Sequence, residues 1–343
     1  MFRKQEIMKS KSIVIAEIGQ NHQGELELAR KYIKVFAETG ADVVKFQTRN
    51  NKFLFSECAY NKKYDSENSF SDIYGLHREK LELDIEWLPI LKADCEKYGV
   101  KFMSTPFDEP SLEILCDIGV DILKIASFDI GNLPFLDKIS RKKIPIVMSV
   151  GGGKLEQIRS SVAILKKHSD DIAILHCVSE YPCEHDRLGL DNIELLSKEF
   201  PDLTIGSSDH YSGISSGPIA YMKGARVFEK HVTLNRSWKG ADHSFALSTQ
   251  GFRKFVRDIK RTPEMMKAKP EVELGSEMVF GKLGKSVVTA CDLKAGEELT
   301  LDNLSGKIYG KQYIPVRETN KIIGKKLNKD IKKGDLILFE DIA

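Results

Sequence analysis

Lysine is seldom buried without a partner, yet the sequence sets one inside each of two apolar runs: Lys45 in Ala41-Asp-Val-Val-Lys-Phe-Gln47 and Lys124 in Ile122-Leu-Lys-Ile-Ala-Ser127. One such lysine is explained equally well by a nearby acid or by snorkelling out of a rim. Two of them, both near the ends of apolar runs, point to an anionic substrate. Thr105, Ser127, Ser149 and Ser208 also stand at run ends and offer hydroxyl donors to phosphate or carboxylate oxygens. His210 and His231 end two later runs, and a pair of neutral imidazoles binds a divalent cation while leaving positions for water and substrate. Glu17 and Asp129 are the carboxylates best placed for proton handling or for holding hydroxyl groups, with salt bridges to Lys45 or Lys124 as the alternative. Asp209, opposite in parity to His210, reads as a structural group. His22 and His243 fall in loops on the same rim, His168 and His185 read as surface residues, and His176 as core.

Eight short apolar runs must hold these groups: Ser12–Ile18, Asp42–Thr48, Lys101–Phe107, Ile122–Ser127, Pro145–Val150, Ile172–Cys177, Thr204–His210 and Ala225–His231. Between them lie helix-period stretches such as Glu25–Thr39, Leu83–Tyr98, Leu155–His168 and Asn192–Glu199. Gly40, Gly99, Gly119 and Gly224 fall just past helix ends, where a left-handed cap favours glycine. A last helix, Thr249–Lys260, follows the eighth run. Eight strand–helix units over about 250 residues predict a closed (β/α)8 barrel, and no glycine-rich dinucleotide fingerprint follows the first run to favour an open sheet. In such a barrel, parity turns Lys45 and Gln47 inward with Val43, sets Ser208 and His210 on one face with Gly206, and places Glu17 in phase with Ile13 and Ile15. The long insertion from Arg49 to Glu82 then lies on the catalytic rim.

Composition narrows the class. The 343 residues are 41% hydrophobic and 30% charged with a net charge of +2, which excludes intrinsic disorder and supplies no overall basic footprint for nucleic acid. The N-terminus carries too short an apolar run for a secretion signal, and no window approaches a membrane span. Six scattered cysteines fit free thiols in a reducing compartment, so a cytoplasmic protein is expected. Three segments follow: a barrel over 1–262, a charged, proline-bearing linker over 263–283, and a small turn-rich β unit over 284–343. The last carries an internal echo, Asp292-Leu-Lys-Ala-Gly296 against Asp330-Ile-Lys-Lys-Gly334, each followed by a short apolar strand and an acidic stop. About 60 residues are marginal alone, so this unit is expected to dock on something.

The motifs together resemble one family. Ile15-Ala-Glu-Ile-Gly-Gln-Asn-His-Gln-Gly24, Gly40-Ala-Asp-Val-Val-Lys-Phe-Gln-Thr48, Ser104-Thr-Pro-Phe107, Lys124-Ile-Ala-Ser127, Ser208-Asp-His210 and Glu229-Lys-His231 are similar to the sialic acid synthases. The C-terminal unit resembles their antifreeze-like (SAF, β-clip) domain, so the resemblance covers nearly the whole chain in order. It implies a TIM barrel that condenses phosphoenolpyruvate with an aldose, an N-acyl hexosamine or its 6-phosphate, giving a nine-carbon 3-deoxy-2-keto acid and phosphate. By the same resemblance Lys45, Thr105, Lys124, Ser127, Ser149 and Ser208 would hold phosphoenolpyruvate, with Gln47 supporting them. His210 and His231 would hold a divalent metal, manganese first and magnesium or cobalt as alternatives. Glu17, Tyr181 and Asp242 would contact the sugar. Asp129 stands where many members carry glutamate, and Ser179 where several have asparagine. Lys307-Ile308-Tyr309 replaces a Lys-Arg-Pro stretch, so Ile308 stands in place of an arginine that reaches the N-acyl group. The resemblance further implies a homodimer in which the SAF domain of one subunit covers the barrel mouth of the other. The rival expectations are another barrel carbon–carbon lyase, such as an aldolase, and a non-catalytic glycan- or ice-binding protein.

Overall fold

The computed structural model describes residues 1–3 and 12–343, so most of the N-terminal stretch read above for a secretion signal lies outside the described residues. The chain divides into two compact units, Met1–Met265 and Met266–Ala343.

The first unit is a closed, eight-stranded parallel barrel with alternating helices. Its strands are β1 (Ile13–Gly19), β2 (Val43–Thr48), β3 (Lys101–Pro106), β4 (Ile122–Ile125), β5 (Ile146–Ser149), β6 (Ile172–Cys177), β7 (Thr204–Asp209) and β8 (Val227–Thr233). They pair in chain order, and β1 closes on β8 with Glu17 opposite His231. A two-residue β9 (Leu247–Ser248) pairs in parallel with the end of β8 at Val232 and Thr233. His231 therefore lies inside its strand and not at the end, as the apolar run alone had suggested.

Alternation divides each strand between two cores. Ile15, Val43, Met103, Ile122, Val147, Ala173, Leu175 and Val227 fill the barrel interior together with Phe2. Val14, Ala16, Val44, Phe46 and Phe102 point outward into a larger core shared with the helices. Each fully buried side chain of this size contributes about 1.5–3 kcal/mol. Inward positions nearer the carboxyl ends are the ones left to polar side chains.

Local chemistry explains how the helices start and stop. Asp108 caps the helix Glu109–Asp117 by accepting from Ser111 N at 2.8 Å, and its other oxygen accepts from Asn50 N at 2.7 Å, tying the start of the insertion to the rim. Gly40 and Gly224 leave helices with φ of 98° and 106°, a region that side-chain-bearing residues avoid. Gly206 serves close approach, because a Cβ there would collide with the carbonyl oxygen of Val227 on the neighbouring strand. The helix expected to end at Lys260 runs Thr249–Met265. Phe252, Phe255, Val256, Ile259 and Thr262 stay buried along one stripe, and the Thr262 hydroxyl donates to Asp258 O, so the helix runs past Lys260 to the end of the first compact unit. No helix among the described residues is long and apolar enough to cross a membrane.

The second unit begins with short helical segments, Glu271–Glu273 and Met278–Leu283, in the stretch read as linker. An antiparallel pair, β10 (Lys285–Thr289) and β11 (Leu304–Ile308), then packs on Leu293, Leu299, Ile314, Ile322, Leu327, Ile331 and Ile337. The sequence echo is a structural one: Leu293 bridges Ile331, Asp330 accepts from Ala295 N at 3.0 Å, and Asp292 accepts from Lys333 N at 2.7 Å. Each copy's aspartate thus satisfies the turn of the other.

Candidate active site

A cavity of about 480 Å³ opens at the carboxyl ends of the barrel strands. Its floor is ionic. Lys45 Nζ lies 2.9 Å from Glu17 Oε2, 3.5 Å from Glu229 Oε1 and 3.4 Å from Thr105 Oγ1, all buried. Lys124 Nζ lies 4.0 Å from Glu229 Oε2 and donates to Ile125 O at 3.1 Å. Glu229 also accepts from Ser208 Oγ at 3.1 Å, and Glu17 from Gln47 Nε2 at 2.7 Å.

Burial and neighbours push these groups apart. Burial raises the Glu17 carboxyl to about 7 against the pull of Lys45, and the charge of Glu229 adds to the rise. Burial would also raise Glu229, but Lys124 and Lys45 overcome it and hold that carboxyl below the usual range. Burial lowers Lys124 despite Glu229, whereas Glu17 and Glu229 together outweigh burial at Lys45 and raise it.

The wall is imidazole and aromatic. The His210 and His231 rings lie 5.3 Å apart, with Tyr181 3.9 Å from His210 and Phe245 5.2 Å from His231. His210 Nδ1 is 2.7 Å from Val178 O, which can only accept, so the proton sits on Nδ1 and the Nε2 lone pair is left free. Burial, then the neighbouring His231, lowers His210 to about 4; burial also lowers His231, so both rings are neutral at pH 7. His231 Nδ1 is buried without a hydrogen bond, its nearest acid oxygen being Asp242 Oδ2 at 3.7 Å. Among the described residues no cluster of three or more His, Cys, Asp or Glu is gathered for a metal. Two neutral imidazoles with an orphaned nitrogen still suit an ion that takes its other ligands from water and substrate.

Of the residues expected from sequence, Glu17, Lys45, Gln47, Thr105, Lys124, Ser127, Ser149, Tyr181, Ser208, His210, His231 and Asp242 all line this one cavity. Ser127 Oγ accepts from Gly151 N at 2.9 Å, while Ser149 Oγ is buried with no partner. Two expected residues stand elsewhere. Asp129 ends the turn Ser127–Asp129 and accepts from Asn132 Nδ2 at 3.0 Å, leaving Ser127 and Phe128 on the cavity. Ser179 lines a second cavity beside the helices that follow β5 and β6, while its side chain pairs with Cys177, which lines the first. His22 and His243 are buried scaffolding: His22 accepts from Gly24 N at 3.1 Å, and His243 Nδ1 shares a hydrogen bond with Thr233 Oγ1 at 2.8 Å.

Sequence reading passed over Glu229, Arg49 and Arg78, which also line the cavity. Glu229 carried the same signal as the lysines, a charge inside an apolar run in phase with His231. Arg78 carried none, since its place depends on how the insertion folds.

The NeuB family's sequence profile matches residues 32–271 and that of the SAF domain residues 284–343. The chain is 33% identical over 335 residues to the N-acetylneuraminate-9-phosphate synthase of Mus musculus, covering 97% of this chain and 93% of that one. It is 34% identical over 332 residues to the N,N'-diacetyllegionaminic acid synthase of Campylobacter jejuni, covering 95% and 99%. Among solved structures, the N-acetylneuraminic acid synthetase of Leptospira borgpetersenii, in complex with citrate, superposes with a TM-score of 0.69 at 30% identity over 79% of this chain and 91% of that one.

Proposed function

The chain belongs to the NeuB family and carries a C-terminal SAF domain, and from that premise we propose that it condenses phosphoenolpyruvate with an N-acylated aldose to a nine-carbon 3-deoxy-2-keto acid, releasing phosphate. The observation that carries this reading is the single cavity shared by two buried lysines and two neutral histidines. Lys45 and Lys124 would offset the phosphate and carboxylate of the enol ester, with Thr105, Ser127, Ser149 and Ser208 donating to its oxygens. Ser149 Oγ, buried and unpartnered, is a donor waiting for such an oxygen. Glu229 sits beneath both lysines and would keep them oriented when no ligand is bound.

Carbon 3 of the enol ester would attack the aldehyde carbon, water would add at carbon 2, and phosphate would leave by carbon–oxygen cleavage. Glu17, raised to about 7, would hand a proton to the oxygen formed from the aldehyde. His210 and His231 would hold a divalent cation, manganese in this reading, which supplies Lewis-acid polarisation of the carbonyl when bound. Tyr181 and Asp242, which line the same cavity, would contact the acceptor, whereas Asp129 lies outside its lining. A homodimer, with the SAF unit of one subunit over the barrel mouth of the other, and a cytoplasmic setting complete the reading.

The test is incubation with phosphoenolpyruvate, manganese and a panel of free and phosphorylated N-acylated sugars, followed by phosphate release and product mass. EDTA-sensitive phosphate release with a nine-carbon product is expected. Burial holds Lys124 low, as a Schiff-base lysine requires, so borohydride capture of pyruvate on Lys124 would move the chain to the aldolases instead.

A further inference from the structure

Strand parity sends Asp209 and Lys230 away from the cavity, into the layer between the barrel and its helices. Every other outward position on the eight strands is uncharged among the described residues, and most belong to the larger apolar core. Here a carboxylate and an ammonium stand in register across β7 and β8, with Asp209 7% exposed and Lys230 1%. Lys230 Nζ pairs with Asp209 Oδ1 and donates to Tyr211 O, and the same Asp209 oxygen accepts from Tyr211 N at 3.0 Å. The ammonium also lies 5.5 Å from the centre of the Tyr211 ring and 5.7 Å from that of Phe255.

Two charges withdrawn this far from water are a poor source of stability, because their desolvation offsets their attraction and apolar residues of similar volume often serve as well. The neighbours of the pair suggest another use. Asp209 precedes His210 and Lys230 precedes His231. On the β8 side, the ladder of β7 stops at Asp209 and Lys230, so the side-chain pair carries the connection past the strand end to Tyr211. Lys230 thereby binds the residue before His210 through its carboxylate and the residue after it through its carbonyl. Its own backbone leads directly into His231, which is held in the ladder opposite Glu17. Two further hydrogen bonds hold His210, Nδ1 with Val178 O at 2.7 Å and its carbonyl accepting from Cys183 N at 3.2 Å, and both partners follow β6. Lys230 supplies the opposing tie to β8.

We infer that Lys230, acting through Asp209 and Tyr211, is a positioning residue that presets the spacing of His210 and His231 for one small divalent cation. This rests on the cation reading above, since the pair lies outside the cavity lining and acts only through the two histidine backbones. A metal–imidazole bond is about 2 Å long and a binding site tolerates roughly 0.5 Å of misplacement, so how firmly the two backbones are joined decides affinity. Groups that orient metal-binding side chains commonly govern affinity without touching the ion.

The experiment is titration of the full chain with manganese alone, followed by loss of the free-ion EPR signal. In the double variant Lys230→Met with Asp209→Asn, which removes both charges at nearly constant volume, the Kd is expected to rise about 10–100-fold. Its melting temperature without metal should change little, and its KM for phosphoenolpyruvate at saturating manganese should stay within about twofold. Asp209→Asn alone, which keeps an acceptor for Tyr211 N without the charge, should give a smaller rise in Kd, and it decides the matter if the double variant does not fold. An unchanged Kd in a folded variant overturns the proposal and leaves the cation reading standing. So does a rise in Kd matched by an equal rise in the KM for phosphoenolpyruvate, which would mark the pair as a general support of the barrel. Absence of manganese binding by the unaltered chain overturns the proposal and the cation reading together.

Discussion

Lys45 Nζ and Glu17 Oε2 lie 2.9 Å apart, with both side chains almost wholly withdrawn from water. The pair sits where β1 and β2 run side by side, Glu17 opposite Lys45 in register, and a bulge after Glu17 brings Gly19 beside Phe46. Because burial raises Glu17 to about 7, its protonated form is abundant below that pH and scarce above it. If this proton goes to the new hydroxyl, kcat is level below about 7 and falls as pH rises through that value. Glu17→Gln should lose this limb and about 10²–10⁴ in kcat. A pH–kcat profile of both proteins checks it, and a variant that keeps the limb would assign the proton to another group.

The histidine pair predicts a different pH response. His210 is held at about 4, below its ordinary 6.5, so its contribution to stability is present above about 6.5 and is lost as pH falls towards 4. A cation on the same rings would compete with protons over that window. Manganese should therefore raise the melting temperature at pH 7, and the rise should vanish near pH 4 and in His210→Ala or His231→Ala. Thermal melts with and without manganese test this; an undiminished rise in both variants places the ion elsewhere.

Gly206 controls how closely β7 and β8 approach, and hence the spacing of His210 and His231. Gly206→Ala must push its Cβ against Val227 O and the Leu175 side chain, so a loss of about 1–3 kcal/mol is expected. Denaturant titration gives that number, and the same variant should show a smaller manganese-induced rise in melting temperature. Unchanged stability would mean that the two strands part without strain.

Residues 284–343 form the SAF domain, with a hydrophobic core of their own. If the domain closes the barrel mouth in a dimer, its removal should abolish condensation while the barrel keeps its circular dichroism and its cooperative melt. Undiminished turnover by the truncated chain would show that the barrel works alone.

The barrel was legible because its signal is local: a strand buried on both faces must be apolar along its length, and eight such runs announce eight strands. The same logic exposed Lys45, Lys124 and Glu17, since a charge in an apolar run has few places to go. It exposed Glu229 equally, although that residue was read past. Asp129, expected from its place just after the fourth run, ends a turn in which it accepts from Asn132 Nδ2, a local pairing that no strand pattern encodes. Ser179, named only through the family resemblance, lies beyond the end of β6, where it lines a second cavity and pairs with the Cys177 side chain.

Sequence alone determined which residues share a face along each strand, because side chains alternate at every peptide whatever lies opposite. Only the tertiary structure decided which charges meet. Arg78 lies 33 residues beyond Lys45, and whether it finds an acid, water or an empty wall depends on how the insertion folds around Tyr64, Tyr74 and His77. Electrostatic partnership is a matter of ångströms between distant segments, and no periodicity within one segment encodes it.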